Sequence, residues 1–125
     1  MAKNQNYSAS NLKIESVLVT ERSWDGVKLA PYPQSQPELS VIKLYIPPNT
    51  ILDWHIHSAP NVGYLLDGTL TLENKLSGEK IVAHAGGALA ETLNVAHRGF
   101  TGESGATLIV FYAGTKGLPL STPAK

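Results

Sequence analysis

Cysteine is absent from the 125 residues, which excludes thiolate zinc sites, disulfide staples and thiol catalysis. Any bound metal must then be held by nitrogen and oxygen. Charge of one sign is lacking too, with 10 Lys plus Arg against 10 Asp plus Glu and no long run of either. No nucleic-acid groove and no anionic membrane surface is therefore expected as a partner. No apolar run is long enough to span a bilayer, and residues 1–10 lack the apolar core of a secretory signal. As written, the chain reads as soluble and cytoplasmic, or periplasmic if a leader has been removed. A convincing amphipathic helix with capping signals is the last absence.

What is present is a 42% hydrophobic chain of a length that suits one globular domain, 1–125. Short apolar segments recur between turn residues, a spacing that predicts an all-β sandwich or barrel. Residues 1–37 read as a polar arm, a first strand over 12–19 and a loop rich in proline and aromatics. The body, 38–113, opens with a strand over 38–46 whose two faces are both largely apolar, so a second sheet, a terminal arm or another subunit should cover the outer one. Further strands are expected over 62–66, 69–72, 80–85, 88–93, 96–100 and 106–112, with Asp67-Gly68 closing a hairpin between two of them. The tail, 114–125, reads as irregular. Two-sided apolar strands also suggest a homodimer.

His55 and His57 stand two residues apart on a strand, which turns both imidazoles to one face. That is a chelate in waiting, since imidazole nitrogen is the commonest protein ligand for transition metals. Further along, Gly68 closes a turn, Gly86 opens a strand, and the run Glu91-Thr92-Leu93-Asn94-Val95-Ala96-His97 follows.

Over residues 48–101 this pattern resembles the two motifs of the cupin family. The first motif is H-x-H, then a glutamate and a closing glycine; the second is glycine, P-x-G-x-x-H and asparagine. His55 and His57 fall on the histidine pair, Gly68 and Gly86 on the glycines, and His97 on the last histidine. The resemblance implies a cupin-type β-barrel (a double-stranded β-helix, or jelly roll) holding one divalent transition metal, whether Fe, Mn, Ni, Zn or Cu, through His55, His57 and His97.

The departures carry as much information. Asn61 stands where the family has its glutamate ligand, and a carboxamide is a weak ligand. Glu91, on the approach to His97 in an otherwise apolar stretch, is the replacement carboxylate, as fourth ligand or general base; the competing reading turns it outward or onto a loop. Asp53 alternates with the histidines, but a third ligand on one straight strand splays too far, and it reads as a rim residue. Thr92 and Asn94 replace the motif's proline and glycine, and asparagine tolerates the left-handed turn. Thr101 replaces the final asparagine, and His84 fits neither motif and reads as surface.

Tyr45, Tyr64 and Phe111 are candidates for an apolar pocket wall, with Asn61 beside the metal. The resulting expectation is a metal-dependent enzyme of oxygenase, isomerase or lyase type acting on a small oxygenated organic molecule. The alternatives are a non-catalytic small-ligand-binding module with a structural or opportunistic metal, and a purely structural barrel whose main surface is a dimer interface.

Overall fold

The two most apolar segments form the longest antiparallel pair. In the structure, a computed structural model that describes residues 9–124, β1 (Pro37–Ile46) lies beside β7 (Ala106–Thr115), with Pro37 opposite Thr115 and Ile46 opposite Ala106. Alternation sends Ile42, Leu44 and Ile46 inward and Leu39, Val41, Lys43 and Tyr45 outward. The outer set is open to solvent, with Leu39 and Val41 each 67% exposed, so the cover expected for this face does not come from the described residues.

The centre of the architecture is β3 (Asn61–Asn74), a strand of 14 residues where the sequence suggests two strands and a hairpin. Asp67-Gly68 does not turn the chain back. The pairing with β7 slips between Leu65 and Asp67, and Gly68 takes a φ of 79°. Leu66 is the extra residue of a bulge just before the pair, which bends the strand so that one segment serves two sheets. Before the bend β3 pairs with β5 (Ala88–Ala90) and β7; after it, with β4 (Lys80–His84) and β6 (His97–Phe100). The chain order across the curled sheet is β1-β7-β3-β6-β2-β8, where β2 is His55–Ile56 and β8 is Thr122–Pro123. Inward residues of these strands, Ile46, Leu65, Leu70, Leu72, Leu108, Val110 and Tyr112 among them, make one core.

Two other expectations are corrected. Residues 12–19 form no strand: they are largely exposed, Ile14 at 85% and Val19 at 87%. Alternating apolar residues make a strand only where a neighbouring edge takes the backbone hydrogen bonds, and among the described residues no strand pairs with this segment. The tail is not irregular throughout, because β7 runs on to Thr115 and β8 pairs with β2, Pro123 opposite His55. The polar arm lies largely outside the described residues, apart from a 3-10 turn at Ala9–Asn11. Among the described residues there is no α-helix, and no helix is long and apolar enough to cross a membrane.

The loop between the arm and β1 is ordered by its polar and aromatic residues. Arg22 and Lys28 bridge to form a small hairpin whose tip carries Trp24 and Asp25. The Trp24 backbone N–H donates to the Ala90 carbonyl (2.8 Å), and Asn74 Nδ2 donates to Asp25 Oδ2 (2.6 Å). Ser23 also donates to Asp25. Burial works against the Asp25 charge, yet these donors and the Thr92 hydroxyl outweigh it and hold the carboxyl below its ordinary value. Trp24 packs on the core, whereas Tyr32 is exposed. The hairpin is thus clamped to the segment that carries Glu91.

Candidate metal centre

The short strands β2 and β6 place His55 directly opposite His97, and His57 follows on the same face as His55. The three rings gather with centroids 4.6 to 4.9 Å apart. The two motif segments are tied through the backbone as well. Asn94, at φ 61°, turns the chain so that its N–H donates to the His57 carbonyl (2.9 Å). Asparagine therefore performs the left-handed turn for which the motif uses glycine.

Each ring is oriented by a carbonyl. His55 Nδ1 meets Asp53 O at 2.8 Å, His57 Nδ1 meets Leu120 O at 2.9 Å, and His97 Nδ1 meets Val95 O at 2.9 Å. A carbonyl oxygen only accepts, so all three Nδ1 atoms carry the proton and the neutral rings present Nε2 lone pairs to the centre. Such outer contacts are how proteins fix the tautomer of a metal-binding imidazole. His57 Nε2 and His97 Nε2 are buried with no hydrogen-bond partner. One nitrogen from each ring lies within 4.8 Å of the other two, and the donor set suits a divalent metal.

Glu91 follows β5 and reaches into the same cluster, its backbone N–H donating to the Asn61 carbonyl (3.3 Å). One carboxylate oxygen lies 3.4 Å from His57 Nε2 and the other 3.5 Å from His97 Nε2. Two atoms bound to one ion at about 2.1 Å sit about 3.0 to 3.4 Å apart at octahedral or tetrahedral angles, so these separations are close to those of ligands sharing a metal. Burial works to raise the Glu91 pKa, but the two imidazoles outweigh it and hold the carboxyl well below the ordinary carboxylate range. The His57 pKa is raised: burial works to lower it, and contact with Glu91, seconded by the Leu120 carbonyl, wins. His55 moves down, chiefly through burial, with the other two rings adding to the shift and the Asp53 carbonyl and Glu91 opposing it.

The cluster opens on a chamber of about 390 Å³ inside the curled sheet. Its walls include Ile42, Leu44, Leu70, Leu72, Leu108 and Val110, with Tyr112 near the histidines. Tyr112 and His57 have ring centroids 5.6 Å apart, and burial together with the Glu91 charge pushes the phenol up to about 12, so its hydroxyl stays protonated at neutral pH.

Tyr45, Tyr64 and Phe111 do not line this chamber. They belong to the outward set of β1, β3 and β7, Tyr45 at 64% exposure, and the aromatic that does face inward is the next residue along, Tyr112. Asn61 is buried, its Nδ2 donating to Ala59 O (3.1 Å), but it lines an outer groove rather than the chamber. Asp53 is exposed at the chamber's edge, as a rim residue should be, and His84 lies exposed on β4. Thr101 ties the turn after β1 instead of the histidines, donating to Pro47 O (2.6 Å) and accepting from Thr50 N–H (3.0 Å). Sequence reasoning missed the tail: Leu120 orients His57, and Ser121 and Pro123 line the chamber. Only the Thr-Pro pair in an otherwise loop-like composition hinted at an edge strand there.

No family model matches the sequence, and no curated protein is similar to it. Solved structures do match. The DMSP lyase DddQ from Ruegeria pomeroyi superposes with a TM-score of 0.61 at 15% identity over 69% of this chain and 43% of that one. An RmlC-like cupin from Shewanella frigidimarina superposes with a TM-score of 0.54 at 21% identity over 64% of this chain and 69% of that one. The fold is that of a cupin. The polyketide cyclase RemF from Streptomyces resistomycificus also superposes, with a TM-score of 0.60 at 17% identity over 73% of this chain and 63% of that one. The chain spans less than half the length of the DMSP lyase and under two thirds of the cyclase. Against the cupin motifs, the carboxylate beside the histidines comes from Glu91 and not from the position of Asn61.

Proposed function

We propose that this cupin binds one divalent transition metal through His55, His57, His97 and Glu91, and acts as a metal-dependent enzyme on a small oxygenated organic molecule. The observation that carries the reading is the gathering of one nitrogen from each of the three rings within 4.8 Å of the other two, with the Glu91 carboxylate against His57 and His97 and all three Nδ1 protons committed to backbone carbonyls. Lone pairs facing a carboxylate repel unless a cation or a proton lies between them. When bound there, a divalent metal supplies Lewis-acid or oxygen-activating chemistry at its open positions.

The chain's own residues account for the rest. The carbonyls of Asp53, Leu120 and Val95 hold the rings, the largely aliphatic walls favour an apolar body, and Glu91 fixes a negative charge beside His57 and His97. Tyr112, kept protonated, offers a hydrogen-bond donor toward a molecule in the chamber. The likeness to a lyase and a cyclase supports a small-molecule reaction of this kind without selecting one.

Calorimetric titration with zinc tests the reading. One equivalent is expected to bind at pH 7.5. The His57 pKa is raised, so as pH falls through it the proton displaces the metal, and affinity drops by about tenfold per pH unit below that point. The heat of binding should also vary with the buffer's ionisation enthalpy, reporting proton release. Affinity that is the same at pH 7.5 and 5.5 would contradict this site.

A further inference from the structure

The Glu91 carboxylate and the Tyr112 ring lie against the histidines at one end of the chamber, and its walls carry no cation. Among the described residues that line it, none is lysine or arginine; the charged or titratable ones are Asp53, Glu91 and the histidines, joined by the hydroxyls of Tyr112 and Ser121. Most of the remaining surface is aliphatic. Building on the metal site proposed above, we infer that the chamber selects an uncharged molecule with an apolar body and one oxygen-bearing end directed at the histidine cluster, and rejects substrates with a carboxylate or phosphate on that body.

The physical reasons are separate and agree. An anionic group among Ile42, Leu44, Leu72 and Leu108 would be stripped of water with no cation to receive it, and Asp53 at the edge adds repulsion. A polyol fares little better, because its hydroxyls need partners and the aliphatic walls supply none. An alkyl or aryl body, by contrast, gains from every apolar contact it buries. Charge balance at the metal end points the same way. Three neutral imidazoles and one carboxylate leave a dication with a single net positive charge, which one ionised oxygen of the ligand neutralises. Neutral weak acids that chelate through adjacent oxygens, such as hydroxyketones, enolisable diketones or catechols, meet both requirements.

Alkyl hydroxamic acids test the inference, since they share one chelating end and differ only in the body. On zinc-loaded full-length protein, affinity should rise by about fourfold per methylene from acetohydroxamic to hexanohydroxamic acid. Succinomonohydroxamic acid, which ends the butyryl chain in a carboxylate, should bind at least about tenfold more weakly than butyrohydroxamic acid. Flat affinity along the series, or equal binding of the carboxylate-ended probe, overturns the inference. Zinc content measured on the same samples separates the two levels: protein that holds no zinc defeats the metal site and this inference with it, whereas zinc-loaded protein with flat affinities defeats the chamber's selectivity alone.

Discussion

Glu91→Gln is expected to weaken zinc binding by at least about a hundredfold while leaving the fold intact. Glutamine has the same length and shape, so the chamber need not rearrange. What changes is the charge and one end of the group. The carboxylate now faces His57 Nε2 with one oxygen and His97 Nε2 with the other, at 3.4 and 3.5 Å. A carboxamide keeps a single oxygen and turns an NH₂ toward the second nitrogen, offering one weak neutral ligand in place of an anion. The same substitution has a signature in metal-free protein. The His57 pKa is raised mainly by Glu91, which overcomes burial, so in the variant burial prevails and His57 should titrate at lower pH by proton NMR. Wild-type affinity in Glu91→Gln combined with metal loss in Asn61→Ala would return the ligand role to the position where cupin motifs have their glutamate.

The second large effect concerns the bend that brings the halves of the barrel together. Gly68→Ala should cost about 3 kcal/mol or more, lowering the melting temperature by about 10 °C or more. Gly68 has a φ of 79°, a region that costs an L-residue on its own, and an added Cβ would overlap the Gly105 carbonyl oxygen. That oxygen is backbone and has nowhere to swing. The control is Gly78→Ala: φ is 76° there too, but an added Cβ meets open space, so only the backbone term of about 1 to 2 kcal/mol applies. Similar melting curves for the two variants would mean that the bulge in β3 tolerates displacement and is not what fixes the barrel.

The fold class and the gathering of the three histidines were legible in the sequence because they rest on alternation and spacing. H-x-H puts two rings on one face whatever the tertiary context, and Asn94 signalled the left-handed turn that the structure confirms at φ 61°. Parity was harder. Whether Phe111 or Tyr112 faces inward depends on which side of β7 meets the core, and both sides of that strand are apolar, so composition left the choice open. The same ambiguity turned Tyr45 and Tyr64 toward the chamber in the sequence reading and toward solvent in the structure.

Long-range closure was harder still. Asp67-Gly68 carries turn chemistry, and only the pairing of β3 with β7 on one side of the bend and with β6 on the other shows that it bends a continuous strand. The part that Leu120 plays had no local signal, because it acts through its carbonyl, which every residue possesses. Residues 12–19 show the converse: a local strand pattern without an edge to join.

The metal content of the protein prepared without a histidine tag, alongside the His57→Ala variant, tests the metal site most directly. Close to one equivalent of a divalent transition metal is expected in the wild type, and about a tenth of that or less in the variant, whose far-ultraviolet spectrum stays that of the β-barrel. Metal-free wild-type protein that also fails to take up zinc, cobalt or nickel on addition, with its fold intact, would contradict the assignment of His55, His57, His97 and Glu91 as a metal site.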